Sequence, residues 1–228
     1  MTNILVVPKA DYLVHDIQSE ISDSLSYVDR TSRKVSEFYD FLNRKGLFKN
    51  RDEAETDEDY LQIIPYMICT QEDKYFLYER LKQGAEARLH GKLSAGIGGH
   101  VDWVSDTLSC KETFLFNANK ELNEELDITF PIDEPDDTTV SSIFRNFTGS
   151  LIYDDSNPVG RVHLGALMTC NLSNVDVAVR ETHKIKGSFY SKEEIRTIYQ
   201  DRGDEAFETW TTIALYKLGI INNDGSNI

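Results

Sequence analysis

Three carboxylates stand together in the stretch Lys120-Glu121-Leu122-Asn123-Glu124-Glu125-Leu126. If the stretch is helical, Glu121, Glu124 and Glu125 fall at i, i+3 and i+4 and project from one face. Like charges at that spacing repel, at a cost of about 0.2–0.5 kcal/mol per pair. A hard divalent cation removes that repulsion. Mg²⁺ or Mn²⁺ takes oxygen ligands and bridges carboxylates to substrate phosphates. Taken alone, the same residues also fit a solvent-facing, glutamate-rich helix.

Upstream, Gly96-Ile97-Gly98-Gly99-His100-Val101 is a glycine-rich turn, suited to close approach of the backbone to a ligand or metal. It lacks the Gly-Lys-Ser/Thr of a P-loop and the full glycine fingerprint that leads directly into a dinucleotide-binding helix. Arg80, Arg88 and Lys92 gather just before it in an otherwise acidic chain and are candidate contacts for substrate phosphate. His90 and His100 flank the turn, ten residues apart on a loop. That is poor spacing for a metal pair, and Mg²⁺ prefers oxygen, so a hydrogen-bonded structural role is expected for each. Trp103 is suited to stacking on a base or to packing. Trp210 is expected in the core, and Cys110 reads as incidental.

The elements that must position these residues are legible in outline. A helix is expected from about Lys111 to Leu126, with Leu115, Ala118, Leu122 and Leu126 on its buried stripe. Leu61–Thr70 and Tyr75–Glu79 read as a hairpin turning at Gln71-Glu72-Asp73, with Pro65 marking an edge or a bulge. Phe147–Tyr153 and Arg161–Leu172 read as two further strands, and Val175–Tyr190 as strand then loop. Ser191 and Glu194 form a capping box opening a short helix. Asp204–Leu218 reads as an amphipathic helix with Phe207, Trp210, Ala214 and Leu218 on one stripe and Gly219 as its stop. Before residue 60, Ile4–Val7 reads as a strand and Thr31–Lys45 as a helix with Val35, Phe38 and Leu42 on one side. The acidic run from Arg51 to Asp59 reads as a solvated linker. The organisation expected is an N-terminal extension (1–59), a catalytic domain (60–219) and a polar, frayed tail (220–228).

Composition sets the outer limits. The chain has 228 residues, 40% of them hydrophobic, enough for a real core. Its net charge of −15 opposes nucleic acid and anionic lipid as the main partner, but leaves room for small anions where a metal or basic patch reverses the local sign. Three cysteines without a Cys-x-x-Cys pair argue against a thiolate metal site. With no signal peptide and no long apolar span, a soluble cytoplasmic protein is expected.

A glycine turn followed by such a helix resembles the Nudix box, G-x5-E-x7-R-E-U-x-E-E-x-G-U. Glu112 stands eight residues before Lys120, as the first Glu stands before the Arg of the pattern, and Glu121, Leu122, Glu124, Glu125 and Ile128 match directly. The Gly98-Gly99-His100 turn is similar to that of one subgroup. Three departures stand out. Lys120 replaces the Arg and cannot form its bidentate fork with a carboxylate. Asp127 replaces the Gly and suits a left-handed backbone less well. Twelve residues separate Gly99 from Glu112 where the pattern has five.

The resemblance implies an α/β fold, a Nudix-like α/β/α sandwich with a mixed sheet, over about residues 60–219. It implies a Mg²⁺-dependent pyrophosphohydrolase (Mn²⁺ the alternative ion) that cleaves the phosphoanhydride of a nucleoside diphosphate linked to another moiety. Glu121, Glu124 and Glu125 would be catalytic metal ligands, joined by the Gly98 carbonyl and, more weakly, by Glu112. Glu181, Glu193, Glu208 or the box Glu121 would supply the general base. A small-molecule diphosphate is the expected partner, with a homodimer in keeping with the family. Two other readings share the fold: an isopentenyl-diphosphate isomerase-like enzyme, kept open by the histidines and Cys110, and a non-catalytic nucleotide sensor.

Overall fold

The computed structural model describes residues 2–14, 29–81, 90–130, 146–180 and 182–221. The fold is mixed α/β and divides into two compact units, each woven from three segments. The first comprises Met1–Tyr66, Gly98–Lys120 and Phe147–Leu167, the second Met67–Ile97, Glu121–Asn146 and Met168–Ile228.

In the first unit, β1 (Asn3–Pro8) pairs antiparallel with β2 (Leu47–Asn50) and with the first residues of β3 (Tyr60–Gln71). Ile4 to Val7 are fully buried, so the apolar run expected to form an outlying strand is a central one. Between β1 and β2 lie α1 (Lys9–Val14) and α2 (Asp29–Lys45). Phe38 of α2 packs against Phe114 (ring centroids 5.8 Å apart) and Phe147 (4.4 Å). Such aromatic pairs add about 0.5–1.5 kcal/mol each beyond area burial. Phe114 belongs to α4 (Cys110–Glu125), the helix of the glutamates, and Phe147 to β8 (Asn146–Ile152), which pairs with β9 (His163–Asn171).

The acidic run expected to be a linker is ordered. Asn50 Oδ1 accepts from the backbone N–H groups of Asp52 and Glu53, capping the one-turn helix α3 (Arg51–Ala54). Ala54 is fully buried against Ile4 and Val6. One apolar side chain in an acidic run is enough to dock it.

In the second unit, the end of β3 pairs with β4 (Lys74–Arg80) and β6 (Gly96–Ile97), and β4 with β5 (Leu93–Ser94) and β11 (Ile185–Ser191). These pairs are antiparallel, while Leu93 makes a parallel bridge to Phe207. Leu61 to Cys69 are buried without alternation, as in a strand covered on both faces. Pro65 therefore lies inside the sheet and not at its edge. It has no N–H to leave unpaired, and it falls between the residues that pair with β1 and those that pair with β6. A separate ribbon joins β7 (Leu126–Thr129) to β10 (Asp176–Val179). The expected capping box is formed, opening α5 (Lys192–Arg202). The last helix, α6 (Thr209–Lys217), is shorter than its pattern because Asp204–Ala206 forms a 3₁₀ turn. Thr211, Ala214 and Leu215 are its buried residues and Trp210 is only half-buried, which corrects the expected stripe. Ile220 and Ile221, the first two residues of the expected tail, are buried, and 222–228 lie outside the described residues. Among the described residues no helix is long and apolar enough to cross a membrane.

Candidate active site

α4 spans Cys110–Glu125, close to the expected Lys111–Leu126. Its buried residues are Thr113, Phe114, Asn117, Ala118 and Leu122, so the core face is turned toward Phe114 and Leu115 is only half-buried. Glu121 and Glu125 are half-buried and Glu124 is exposed, all three within the last turn and a half. Glu125 Oε2 is screened from solvent. The donor set is oxygen throughout, which fits a hard divalent cation.

The other end of the helix is taken up by structure. Ser109 is its N-cap. Glu112 Oε2 accepts from both the backbone N–H and the hydroxyl of Ser109, each at 2.8 Å, and Glu112 N–H donates back to Ser109 Oγ at 3.2 Å. These bonds hold the Glu112 carboxyl below its usual range. Glu112 is thus the reciprocal half of a capping box. Nine residues at 1.5 Å each set it about 13 Å along the axis from Glu121. Asn43 Oδ1, at the end of α2, accepts from Lys111 N–H at 3.0 Å, satisfying another open donor of the first turn.

Lys120 stands where the family has Arg, and its Nζ lies 3.1 Å from Asp102 Oδ2. The side chains are 39% and 31% exposed, so the pair contributes no more than about 1 kcal/mol. Asn117 Nδ2 reinforces it, donating to the carbonyls of Asp102 (2.8 Å) and Thr113 (2.9 Å). Lys120 and Asn117 together fasten the segment that follows the glycine turn to the helix. Gly98 is required in that turn, since a Cβ there would sit 2.2 Å from the Pro65 carbonyl oxygen. The inserted loop is ordered by its own bonds, Ser105 Oγ to Thr107 Oγ1 at 2.9 Å among them, and Trp103 within it is 47% exposed.

Asp127 stands at the glycine position of the family pattern, where a left-handed backbone would suit glycine better. It is a strand residue paired with Ala178, and among the described residues Glu72 is the one non-glycine with positive φ. Its carboxylate lies 3.0 Å from Arg180 Nη2. The helix passes directly into β7, with Arg180 N–H donating to the Glu125 carbonyl at 2.9 Å. A glycine stop is unnecessary because a strand partner satisfies the helix end.

Arg80 and Glu208, expected as a phosphate contact and a candidate base, pair with each other: Arg80 Nε lies 2.5 Å from Glu208 Oε1. Glu208 is almost wholly buried, and its other oxygen accepts from Ser94 Oγ at 3.2 Å. Lys92 Nζ reaches the Phe207 carbonyl at 3.5 Å. Glu193 is exposed at the start of α5, 3.9 Å from Arg196. Arg88 and Glu181 lie outside the described residues. His90 is half-buried. His100 bonds as expected, with its Nε2 2.8 Å from Gln62 Oε1. It also meets two residues that nothing in the local sequence announced, His163 and Glu55.

No family model matches the chain. The crystal structure of Tm1382, a candidate Nudix hydrolase, superposes with a TM-score of 0.68 at 28% identity, covering 96% of this chain and 99% of that one. Fold, glutamate helix and this likeness agree: the chain belongs to the Nudix hydrolase superfamily. Protein YmaB of Bacillus subtilis is 32% identical over 218 residues, covering 91% of this chain and 93% of that protein, so the two are members of one family. Both matches take in the N-terminal residues as well as the box.

Proposed function

We propose that the protein is a divalent-metal-dependent pyrophosphohydrolase that cleaves the phosphoanhydride of a nucleoside diphosphate linked to another moiety. The observation that carries this reading is the last turn of α4, where Glu121, Glu124 and Glu125 crowd like charge onto one face of the helix, with Glu121 and Glu125 half-buried beside its core stripe. Mg²⁺, with Mn²⁺ as the alternative, would be held by these carboxylates. When bound, such a cation neutralises diphosphate charge and lowers the pKa of water. The side chains then divide the work. Glu121 and Glu125, half-buried, are placed to stay fixed while substrate exchanges. Glu124, exposed, faces arriving substrate. Without a cation the turn repels a diphosphate.

The isomerase reading loses its support at Cys110. That thiol is held up in pKa by burial and donates to the Gly46 carbonyl at 3.8 Å, where α2 meets α4. A thiol so placed packs and does not react.

The test is turnover. Purified protein is incubated with Mg²⁺ and a panel of nucleoside diphosphate derivatives beside Glu124→Gln, and phosphate is measured after phosphatase coupling. Metal-dependent release by the native protein, lost in the variant, is expected. Equal rates in the two would overturn the assignment of the glutamates.

A further inference from the structure

We propose that Glu55, His100 and His163 form a binding site for a divalent transition-metal ion of the zinc class, separate in residues and in chemistry from the glutamates of α4. The three come from distant places in the sequence: the end of α3, the segment after the glycine turn, and the start of β9. All belong to the first unit. Their ligand atoms lie within 4.8 Å of one another.

The geometry suits one ion. His100 Nε2 and His163 Nε2 are 3.3 Å apart, and His100 Nε2 is 3.6 Å from Glu55 Oε1. Two donors each about 2.0–2.1 Å from a tetrahedral ion are about 3.3–3.4 Å apart. The second shell is also in place. His163 Nδ1–H donates to the Val159 carbonyl at 2.7 Å, which leaves the Nε2 lone pair directed at the cluster. His163 is 8% exposed.

Gln62 completes the set. Its amide is oriented by donation from Nε2 to the Ala54 carbonyl at 3.2 Å, which turns Oε1 toward His100. In the ion-free protein His100 Nε2–H donates to that oxygen. With an ion present the ring carries its single proton on Nδ1, and Gln62 Oε1 becomes a fourth donor. Two imidazoles, a carboxylate and an amide oxygen favour Zn²⁺ over Mg²⁺, the reverse of the all-oxygen turn of α4. Arg51 is the cationic competitor, with Nε 3.6 Å from Glu55 Oε1 across a pair in which both side chains are more than a third exposed. Such a pair yields readily to an ion. With four protein donors the site is structural, pinning α3, the glycine turn and β9 to one another.

The full-length protein, stripped with a chelator, is titrated with Zn²⁺ by calorimetry and with Co²⁺ by visible absorption. Native protein is compared with Glu55→Gln, His163→Gln and the triple variant Glu121→Gln/Glu124→Gln/Glu125→Gln. One tight Zn²⁺ per chain is expected in the native protein and in the triple variant, with the intense visible bands of tetrahedral Co²⁺. Affinity falls by about tenfold or more in Glu55→Gln, and further in His163→Gln. Zn²⁺ also raises the melting temperature of the native protein and not that of His163→Gln. Glu55 is 37% exposed, so Glu55→Gln folds regardless and decides the matter if His163→Gln does not. Absence of tight Zn²⁺ in the native protein overturns the proposal. So does undiminished binding in Glu55→Gln, or loss of the ion in the triple variant alone.

Discussion

The two ends of α4 carry glutamates with different purposes, Glu112 in the first turn and Glu121 nine positions on in the last. At the first turn, Glu112 answers to Ser109, Asn43 closes a further N–H, and Phe114 sits in an aromatic cluster with Phe38 and Phe147. At the last turn, Glu121, Glu124 and Glu125 stand on one face of the helix, half-buried, exposed and half-buried in turn, and their like charges repel one another. A helix can bear that repulsion when its other end is over-determined. Under the function proposed above, one family motif combines a fold-forming half with a chemical half, and the residue types alone do not show where one stops.

Substitution separates the halves. Glu124→Gln is expected to lower kcat by about a hundredfold or more, the several kcal/mol of charge stabilisation that a metal site supplies. The same change relieves like-charge repulsion, so the urea midpoint should stay level or rise slightly. A midpoint that fell with the activity would place Glu124 in the fold-forming half and break the comparison.

Phe114→Ala should do the opposite. Removing a fully buried ring that touches Phe38 and Tyr39 costs about 3–5 kcal/mol, read as a lower urea midpoint at constant slope. Turnover per folded molecule should survive far better than in Glu124→Gln. If the protein loses activity while its stability holds, α2 is not what secures the helix.

How much of this could be read from residues alone follows the distance between partners. The glutamate triad, its helix and the Ser191–Glu194 cap are local patterns, and all three elements stand where their periodicity put them. The capping box of Ser109 and Glu112 was equally local, but Glu112 also satisfied the family pattern, and the more functional reading hid the simpler one. Arg80 and Glu208 are 128 positions apart, so no spacing rule could show that a candidate cation and a candidate base neutralise each other. His100, His163 and Glu55 are a stronger case. The histidine near His100 in sequence is His90, but its partner in space arrives on β9, and the carboxylate comes from a run that looked like a linker. Nor did composition reveal that α2, outside the expected domain, caps and packs the helix that carries the glutamates.

Acid sharpens the contrast from another side. His100 titrates at about 3 in the folded protein against 6.5 when exposed. Between those values the unfolded chain binds a proton that the folded one refuses, so stability present above pH 6.5 is lost as the pH falls toward 3. The slope contributed is up to about 1.4 kcal/mol per pH unit. Urea melts of metal-free protein between pH 7 and 4 should show a shallower pH dependence in His100→Gln than in the native chain. Parallel curves would mean that His100 is charged in the fold.

Ser109→Ala is a smaller change at the fold-forming end. Loss of an N-cap hydroxyl costs about 1 kcal/mol, and the measurement is again the urea midpoint, with turnover per folded molecule unaltered. A loss of turnover at full stability would extend the chemical half to the helix N-terminus.

The smallest effect is expected at the junction that departs most visibly from the family pattern. Asp127→Gly restores the glycine of the box, and a left-handed helix stop at this position would be relieved of strain and gain stability. The backbone here is extended and pairs with Ala178, and the helix-ending carbonyl of Glu125 is already satisfied by Arg180. Glycine therefore has no strain to relieve. It adds unfolded-state entropy of about 0.5–1 kcal/mol in a strand and removes an exposed ion pair worth little. The variant should be slightly less stable and as active as the native protein. A gain in midpoint would show that Asp127 bears the strain its place in the box suggests, and that the chemical half of the helix is held under tension from its C-terminal side.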